Sequence, residues 1–392
     1  MKLGLDVSAV PVQPAGAGRY IVELAQRLGH HLDLELLSRS DDTQRWAAIA
    51  PAAYLHGSVP ANRVLRLLYE RELLGQSRVL KAVDVWHSPH YTMPHRAGRP
   101  TAVTIHDLTF FTNPEWHEPA KVRFFRQAIR YAAKHADVLI SVSEFTAKLL
   151  REHVATDVPI VVAPHGVDLE RFSTTGVQDD ALFSAANLSN STPFILFVGT
   201  LEPRKGLDVL LHAFSELARE NDEIELWIAG QMGWGESNFA PLLDRHPVRN
   251  RIRKLGFVSD DLLPALLRRA EVVAYPSRGE GFGLPVLEAM ACGASVVTSA
   301  KTVMAEIAGP TALYSTPGDA GELAQALGQA ISEAPRSRKE RTAAARLRAQ
   351  RFTWECLDCP TPRGLPHRAG PKTLYSLGPA GTQRAKFGSM SN

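Results

Sequence analysis

The residues best suited to chemistry in this sequence are two glutamates that flank a glycine-containing segment. Glu280 and Glu288 enclose the residues Gly-Phe-Gly-Leu-Pro-Val-Leu. Gly281 and Gly283 let a ligand approach the backbone closely, and the proline suits the first turn of a helix. Because carboxylate oxygens accept hydrogen bonds from hydroxyl groups, the pair is typical of a site for a sugar or a ribose. The alternative interpretation is a glycine-rich turn with a solvated glutamate at each end.

A second segment places two adjacent cations ahead of a predicted helix. It begins at Gly199 and reads Gly-Thr-Leu-Glu-Pro-Arg-Lys-Gly, so the cations are Arg204 and Lys205. A guanidinium binds phosphate oxygens in pairs and an ammonium adds a compact charge, which suits a diphosphate. Such cations would stabilise the negative charge that develops when a nucleoside diphosphate departs. A solvated turn explains Arg204 and Lys205 equally well when they are taken alone.

The first third of the sequence offers weaker candidates. Gly16 and Gly18 follow a predicted strand and precede a helix, but Ile21 stands where a dinucleotide loop has its third glycine. A nicotinamide cofactor is therefore not favoured, although the loop amides suit a phosphate or an acceptor. His106 ends a predicted strand at the sheet edge where α/β proteins bind ligands. A purely structural histidine is the alternative.

Short β-branched runs alternate with amphipathic helical segments and predict two doubly wound parallel sheets. The predicted strands of the first sheet lie at 2–6, 84–87, 101–106, 137–142 and 159–163, and those of the second at 194–198, 224–229, 253–257, 271–275 and 294–298. A helix is predicted at 19–28, and others begin near Gly206, Asp260, Gly283 and Asp319.

The length of 392 residues favours two domains. We predict a first domain at residues 1–172, a Ser-, Thr-, Asn- and Asp-rich linker at 173–192 and a second domain at 193–355. Residues 356–392 are rich in proline and glycine, which is the composition of a disordered tail.

The composition excludes several classes of function. A net charge of +3 does not suggest a nucleic-acid partner, and three cysteines are too few for a disulfide framework. No apolar run reaches the roughly 18 residues of a membrane span. No Asp-x-Asp pair is present, so no divalent-metal site is expected. The sequence predicts a cytoplasmic protein that is at most peripheral at the inner face of the cell membrane.

Taken together, these segments resemble the GT-4 family of retaining glycosyltransferases, and most of all its bacterial mannosyltransferase-type members. The resemblance covers roughly residues 1–354 and is most specific at 280–297, the family's paired-glutamate motif. The other matching segments are 199–206, Pro-His-Gly-Val-Asp at 164–168, His-Asp-Leu at 106–108 and Ala-Gly-Ala-Gly-Arg-Tyr at 15–20. Several matches in the right order are harder to obtain by chance than one.

The resemblance implies a GT-B fold, in which two Rossmann-like domains face a central cleft and bind the acceptor and the nucleotide sugar, respectively. Arg204 and Lys205 would hold the diphosphate, Glu280 the transferred sugar and Glu288 the ribose. His106 would reach the sugar from the opposite domain. The remaining expected contacts with the phosphates, the donor or the acceptor are Gly16, Gly18, Gly199, Gly281, Phe282, Gly283 and Leu284.

The resemblance also implies a reaction that needs no metal and no cofactor other than its donor substrate, a GDP-sugar or a UDP-sugar. GDP-mannose is favoured, with a glycan or a lipid-linked sugar as acceptor. Family members commonly end in a helix that crosses back onto the first domain, whereas this sequence becomes proline-rich after Glu355. The alternative is therefore an inactive nucleotide-sugar-binding partner protein.

Overall fold

The protein consists of two parallel β-sheets, each covered by helices. The computed structural model describes residues 1–14, 16–62, 77–95, 98–188, 191–231, 233, 236–352 and 354. The first sheet contains β1 Lys2–Asp6, β2 Asp33–Arg39, β3 Tyr54–Val59, β4 Val85–Ser88, β5 Thr101–Ile105, β6 Val138–Ser141 and β7 Ile160–Val162. The second contains β8 Phe194–Val198, β9 Glu225–Ala229, β10 Ile252–Gly256, β11 Val272–Tyr275, β12 Val296–Ser299 and β13 Leu313–Ser315.

The order of the strands shows that both sheets are doubly wound. It is β3-β2-β1-β4-β5-β6-β7 in the first sheet and β10-β9-β8-β11-β12-β13 in the second. Every residue of β5 and of β8 is buried, because helices cover both faces of a parallel sheet. This arrangement confirms the predicted GT-B fold class, and it brings the carboxyl ends of the central strands to one edge of each sheet.

Helices connect these strands. In the first domain they are α1 Ala17–Leu28, α2 Thr43–Ile49, α3 Ser77–Ala82, α4 Thr109–Thr112, α5 Pro119–His135 and α6 Glu144–His153, and α7 Asp179–Ala185 follows between the two sheets in the sequence. In the second they are α8 Leu207–Leu217, α9 Glu236–Asp244, α10 Leu262–Arg269, α11 Leu284–Ala291, α12 Val303–Ala308, α13 Ala320–Ser332 and α14 Pro335–Ala349. Within the described ranges no helix is both long and apolar enough to cross a membrane.

The structure contains strands that the sequence pattern did not predict, namely β2, β3 and β13. The strand β2 includes Glu35, a buried carboxylate that pairs with His56 at 2.5 Å and therefore interrupts the apolar run without leaving the sheet. The strands β3 and β13 lie at sheet edges, where one side is unpaired and the hydrophobic pattern is weaker.

The segment predicted as a linker contains helix α7, which packs on the second domain. Its Phe183 is fully buried beside Phe194 and Trp227, and its Asp179 forms a salt bridge of 2.5 Å with Arg268. The exact domain boundaries stay predictions.

The chain returns to the first domain after α14. The carbonyl oxygen of Phe352 accepts a hydrogen bond of 2.6 Å from the backbone of Val167. Trp354, only 4% exposed, joins the first domain's core, where its ring lies 6.2 Å from that of Tyr20 and 6.1 Å from that of His165. The tail predicted at 356–392, and with it the expected loss of a final helix, lies outside the described residues.

We expect the substitution Trp354→Ala to lower the free energy of unfolding by about 3 to 5 kcal/mol, because it empties a large buried volume where the two domains meet. Urea unfolding followed by circular dichroism measures the change. Leu347→Ala is the control, since this α14 side chain is 65% exposed and its removal should change stability by less than about 0.5 kcal/mol. Equal effects of the two substitutions would contradict the packing role of Trp354.

Candidate active site

The carboxylate of Glu280 lies at the centre of a buried polar cluster in the second domain. It accepts hydrogen bonds from Arg204 Nη1 at 2.7 Å and from Lys205 Nζ at 2.5 Å. The hydroxyl groups of Tyr275 at 3.0 Å and of Ser277 at 2.9 Å complete its surroundings. The structure thus joins the two segments that the sequence singled out separately.

Two strand-to-helix loops form this cluster. The turn that carries Arg204 and Lys205 follows β8, and the loop that carries Glu280 follows the neighbouring strand β11. Gly206 ends the first turn with φ of 72°, and a Cβ there would lie 2.2 Å from the carbonyl oxygen of Pro276. Glycine is therefore required for the two loops to approach each other.

Burial and charge act against each other in this cluster. Burial alone would raise the pKa of Glu280, but Arg204 and Lys205 outweigh it and lower that pKa to about 2. Burial would lower the pKa of Arg204, but the carboxylates of Glu280 and Glu202 raise it. For Lys205, burial and the charge of Arg204 prevail over Glu280 and lower its pKa. Glu280 and Arg204 are therefore both charged at neutral pH.

Glu288 lies on α11 and is only 7% exposed. Its carboxylate forms no hydrogen bond with any residue that the structure describes. Burial raises its pKa, and the positive charges of Arg19 and Arg171 partly offset that shift. These two arginines bind Asp260 on the second domain, and Arg171 does so at 3.0 Å. Glu288 is thus a buried carboxylate with unused acceptor capacity, stabilised in its charged form by two arginines.

The first domain contributes His106, which follows β5 directly. Its Nε2 lies 2.7 Å from the carbonyl oxygen of Pro89, and its ring stacks on that of His165 at 5.8 Å. Burial lowers the pKa of His106, so the imidazole is neutral at pH 7. The carbonyl oxygen of His106 faces Gly281, where a Cβ would lie only 1.6 Å from it. His106 therefore adjoins the Glu280 loop across the domain interface.

The other predicted site residues lie at strand ends or helix starts. Gly16 precedes α1 with φ of 47°, and Gly18 lies in the first turn of that helix. Gly199 follows β8 beside Lys205 and Tyr275. The residues of the Glu280 loop and the start of α11 are Gly281, Phe282, Gly283 and Leu284, and the ring of Phe282 contacts that of His165 at 4.8 Å.

The structure adds residues that the sequence reasoning missed. Tyr275 is the last residue of a predicted strand, and Ser277 follows two positions later, so their place at a strand end was the available signal. From the first domain, the ring of Trp116 packs against Gly279, where a Cβ would lie 2.7 Å from it. Among the described residues, no group of three His, Cys, Asp or Glu side chains could hold a metal ion.

Two family models match the chain and together span most of its length. The model "Glycosyltransferase Family 4" matches residues 14–171, and "Glycosyl transferases group 1" matches residues 178–348. The chain is 28% identical to the O-antigen chain mannosyltransferase B of Escherichia coli, over 91% of this chain and 97% of that protein. It is 33% identical to the serotype-specific mannosyltransferase WbdA of Escherichia coli over 60% of this chain, but spans only 30% of that longer protein.

Solved structures share the fold. Sucrose-phosphate synthase from Thermosynechococcus elongatus superposes with a TM-score of 0.73 at 20% identity, over 91% of this chain and 96% of that one. HepE from Anabaena, in complex with UDP-glucose, superposes with a TM-score of 0.72 at 20% identity, over 90% and 96% of the two chains. At these identities the likeness concerns the fold.

We expect the stabilising contribution of Glu280 to depend on pH. Its pKa is about 2 in the folded chain against an ordinary value of 4.5, so the contribution is present above pH 4.5 and is lost as the pH falls towards 2. At neutral pH Glu280→Gln should lower the free energy of unfolding by about 3 kcal/mol, because it removes the carboxylate that Arg204 and Lys205 share and leaves Lys205 without an ion-pair partner. The gap between wild type and variant should close as the pH falls.

Chemical denaturation at a series of pH values measures that gap. The control is Glu340→Gln, which removes a carboxylate that is 69% exposed and pairs with Arg336 at 3.0 Å. Its effect should stay below about 1 kcal/mol at every pH. A gap for Glu280→Gln that does not change with pH would contradict the assigned protonation.

Proposed function

The chain belongs to glycosyltransferase family 4, and we propose that it moves mannose from a nucleotide-diphosphate sugar to a glycan or lipid-linked acceptor, with retention of anomeric configuration and without a metal ion. Activity as a glycosyltransferase follows from both family models and from the mannosyltransferases that match the chain. The identity of the sugar, the stereochemistry and the independence from metal are the parts that we propose.

The observation that carries the proposal is the state of Arg204. Its Nε donates to Glu202 at 2.9 Å, and its Nη1 donates to Glu280 and to the carbonyl oxygen of Gly279. Its Nη2 forms no hydrogen bond within the described part of the chain, which leaves two N–H donors in a fixed orientation. Because Nε and Nη1 fix the plane of the guanidinium group, the N–H groups of Nη2 are oriented in advance to bind an oxyanion.

These groups suit the departure of a nucleoside diphosphate. Arg204 and Lys205 would bind the phosphate oxygens and stabilise the charge that develops there as the bond to the sugar breaks. The two side chains supply the positive charge that a divalent ion provides in other phosphate sites. This is the physical support for a reaction without metal.

Retention of configuration is supported by family membership. In the proposed reaction the acceptor attacks the face of the sugar from which the diphosphate leaves, and the departing phosphate takes the acceptor's proton. No carboxylate is then needed as a nucleophile. Glu280, held ionised by two cations, would bind hydroxyl groups of the sugar, and the neutral imidazole of His106 would approach from the first domain.

Mannose is the sugar that we propose, because the E. coli relatives are mannosyltransferases and one of them matches along almost its whole length. GDP-mannose is then the expected donor. HepE was solved with UDP-glucose, so UDP is the other base to test. A glycan or lipid-linked acceptor, peripheral contact with the membrane and a cytoplasmic location stay predictions.

Calorimetric titration of the purified chain with GDP, UDP, GDP-mannose and UDP-glucose, with and without a chelator, tests the proposal. We expect one base to be preferred and the chelator to have no effect. Arg204→Ala should weaken that binding by at least about tenfold, since it removes charge-assisted hydrogen bonds. Arg336→Ala is the control, because this side chain is 91% exposed on α14.

A folded wild-type chain that binds none of these nucleotides would contradict the proposal. Binding that requires added metal would contradict its metal-free form. Binding of the donor without any transfer to a glycan or lipid-linked acceptor would favour the alternative drawn from the proline-rich residues after Glu355, an inactive nucleotide-sugar-binding partner protein.

A second prediction concerns Glu288 and the ribose. If its unpaired carboxylate accepts hydrogen bonds from ribose hydroxyls, wild type should bind GDP or UDP about tenfold more tightly than the corresponding 2′,3′-dideoxynucleotide. In Glu288→Ala the two ligands should bind alike, while affinity for the diphosphate group remains. Competition titrations measure both ratios. A preference for the ribonucleotide that survives in Glu288→Ala would contradict this assignment.

A further inference from the structure

The backbone carbonyl of Gly281, in the loop that carries Glu280, is held by the first domain. The hydroxyl of Ser143 donates to this oxygen at 2.7 Å, and the hydroxyl of Thr146 donates to it at 3.1 Å. Ser143 is fully buried and Thr146 is 1% exposed. Both residues lie at the start of α6, so the N-terminal end of a helix of the first domain is hydrogen-bonded to a peptide group of the second.

The start of α6 is held in return by the second domain. The carboxylate of Glu306, on α12, accepts hydrogen bonds from the backbone N–H of Glu144 at 2.9 Å and of Phe145 at 2.7 Å. These amides belong to the first turn of α6, where N–H groups have no partner inside their own helix. A carboxylate is favoured there because the N-terminal end of a helix carries partial positive charge.

Two other side-chain caps, at the starts of α12 and α13, are local. Thr302 caps α12 by accepting a hydrogen bond from Met304, and Asp319 caps α13 by accepting one from Glu322. The first turn of α6 also has a local cap, because the Ser143 hydroxyl oxygen accepts a hydrogen bond from the backbone N–H of Thr146. In addition, the carboxylate of Glu306 from the opposite domain accepts hydrogen bonds from this turn. Separation of the domains would therefore break the contacts with Glu306 and Gly281 together.

The peptide carbonyl held by Ser143 and Thr146 belongs to the residue next to Glu280. Gly281 follows Glu280 directly, and its carbonyl belongs to the peptide group that continues to Phe282. When Ser143 and Thr146 hold this oxygen, the direction of the loop beside Glu280 is fixed. Because hydrogen bonds exchanged for bonds to water have modest net free energies, the contact can open and close.

We propose that Ser143, Thr146 and Glu306 form an interdomain latch that orients the Glu280 loop only when the two domains are closed. Ser143 and Thr146 are then positioning residues for Glu280, which touches the sugar in the proposed function on which this inference rests. The latch couples domain closure to the sugar end of the donor site. A nucleotide sugar should depend on it more than a nucleoside diphosphate does, because only the sugar requires Glu280.

The test uses Thr146→Val, which keeps the shape of the side chain and removes its hydroxyl. Thr146→Ser is the conservative variant that restores the hydroxyl. Thr156→Val is the matched control, since the Thr156 hydroxyl donates to the carbonyl oxygen of Ala133 at 2.6 Å within the first domain. Glu306→Gln is a second variant of the latch and serves if Thr146→Val does not fold.

Two measurements are made on the full chain. Calorimetry gives the affinity for GDP, UDP, GDP-mannose and UDP-glucose. We expect Thr146→Val to weaken binding of the preferred nucleotide sugar about tenfold, or about 1.4 kcal/mol, with the nucleoside diphosphate within about twofold. Hydrogen exchange of the Glu144 and Phe145 amides, without ligand, should be faster in Thr146→Val and Glu306→Gln. It should be close to wild type in Thr146→Ser and Thr156→Val.

Unchanged amide exchange in both latch variants, or equal losses in Thr146→Val and Thr156→Val, would overturn the latch. Equal weakening of nucleotide sugar and nucleoside diphosphate would overturn its link to Glu280. If wild type binds no nucleotide, the proposed function fails, whereas the amide exchange of the ligand-free variants still decides whether the latch exists.

Discussion

The site depends on two adjacent cations, Arg204 and Lys205, that share the carboxylate of Glu280 in the interior of the second domain. Lys205 is buried and Arg204 is mostly buried, and they remain there because oxygen atoms of Glu280, Glu202 and Tyr275 surround their charges. Isolated buried charges would be strongly unfavourable, so the loops after β8 and β11 cannot move apart without exposing them. The same contacts fix the guanidinium plane before any ligand arrives, which is the condition for electrostatic stabilisation of a departing phosphate.

Much of this cluster could be predicted from the sequence, because its parts are local. Gly199, the cations and the paired glutamates each follow a strand of clear apolar pattern, and carboxyl ends of parallel strands meet at one edge. The two doubly wound sheets followed from the same alternation, and the GT-B arrangement from the family resemblance. The latch could not be predicted, because the contacts of Thr146 with Gly281 and of Glu306 with α6 depend on how two separate sheets dock. The strand β2 could not be predicted either, because Glu35 interrupts its apolar pattern. The partner that allows this carboxylate to be buried, His56, lies on another strand and is not evident from the local sequence.

The two domains contribute unequal kinds of group. Around Glu280 the second domain supplies charge, in Arg204 and Lys205, whereas the first domain supplies the neutral imidazole of His106 and the hydroxyl groups that bind the backbone of Gly281. In the proposed function a donor would therefore bind to the second domain by its phosphates before the first domain takes part. Contacts that form only when the domains close can orient the reacting groups. Interactions of this kind stabilise the transition state more than the ground state.

The place of Trp354 has a consequence for how the chain is made. Its indole completes a core whose other members, among them Tyr20, belong to the first half of the sequence, as does His165, whose ring lies beside the indole. During synthesis the ribosome adds roughly 5 to 20 residues per second, so the strands of the first sheet wait about 10 to 40 s for this last piece. In that interval the N-terminal domain carries an unfilled apolar surface. A nascent chain of this protein is therefore expected to need a chaperone until Trp354 emerges from the ribosome.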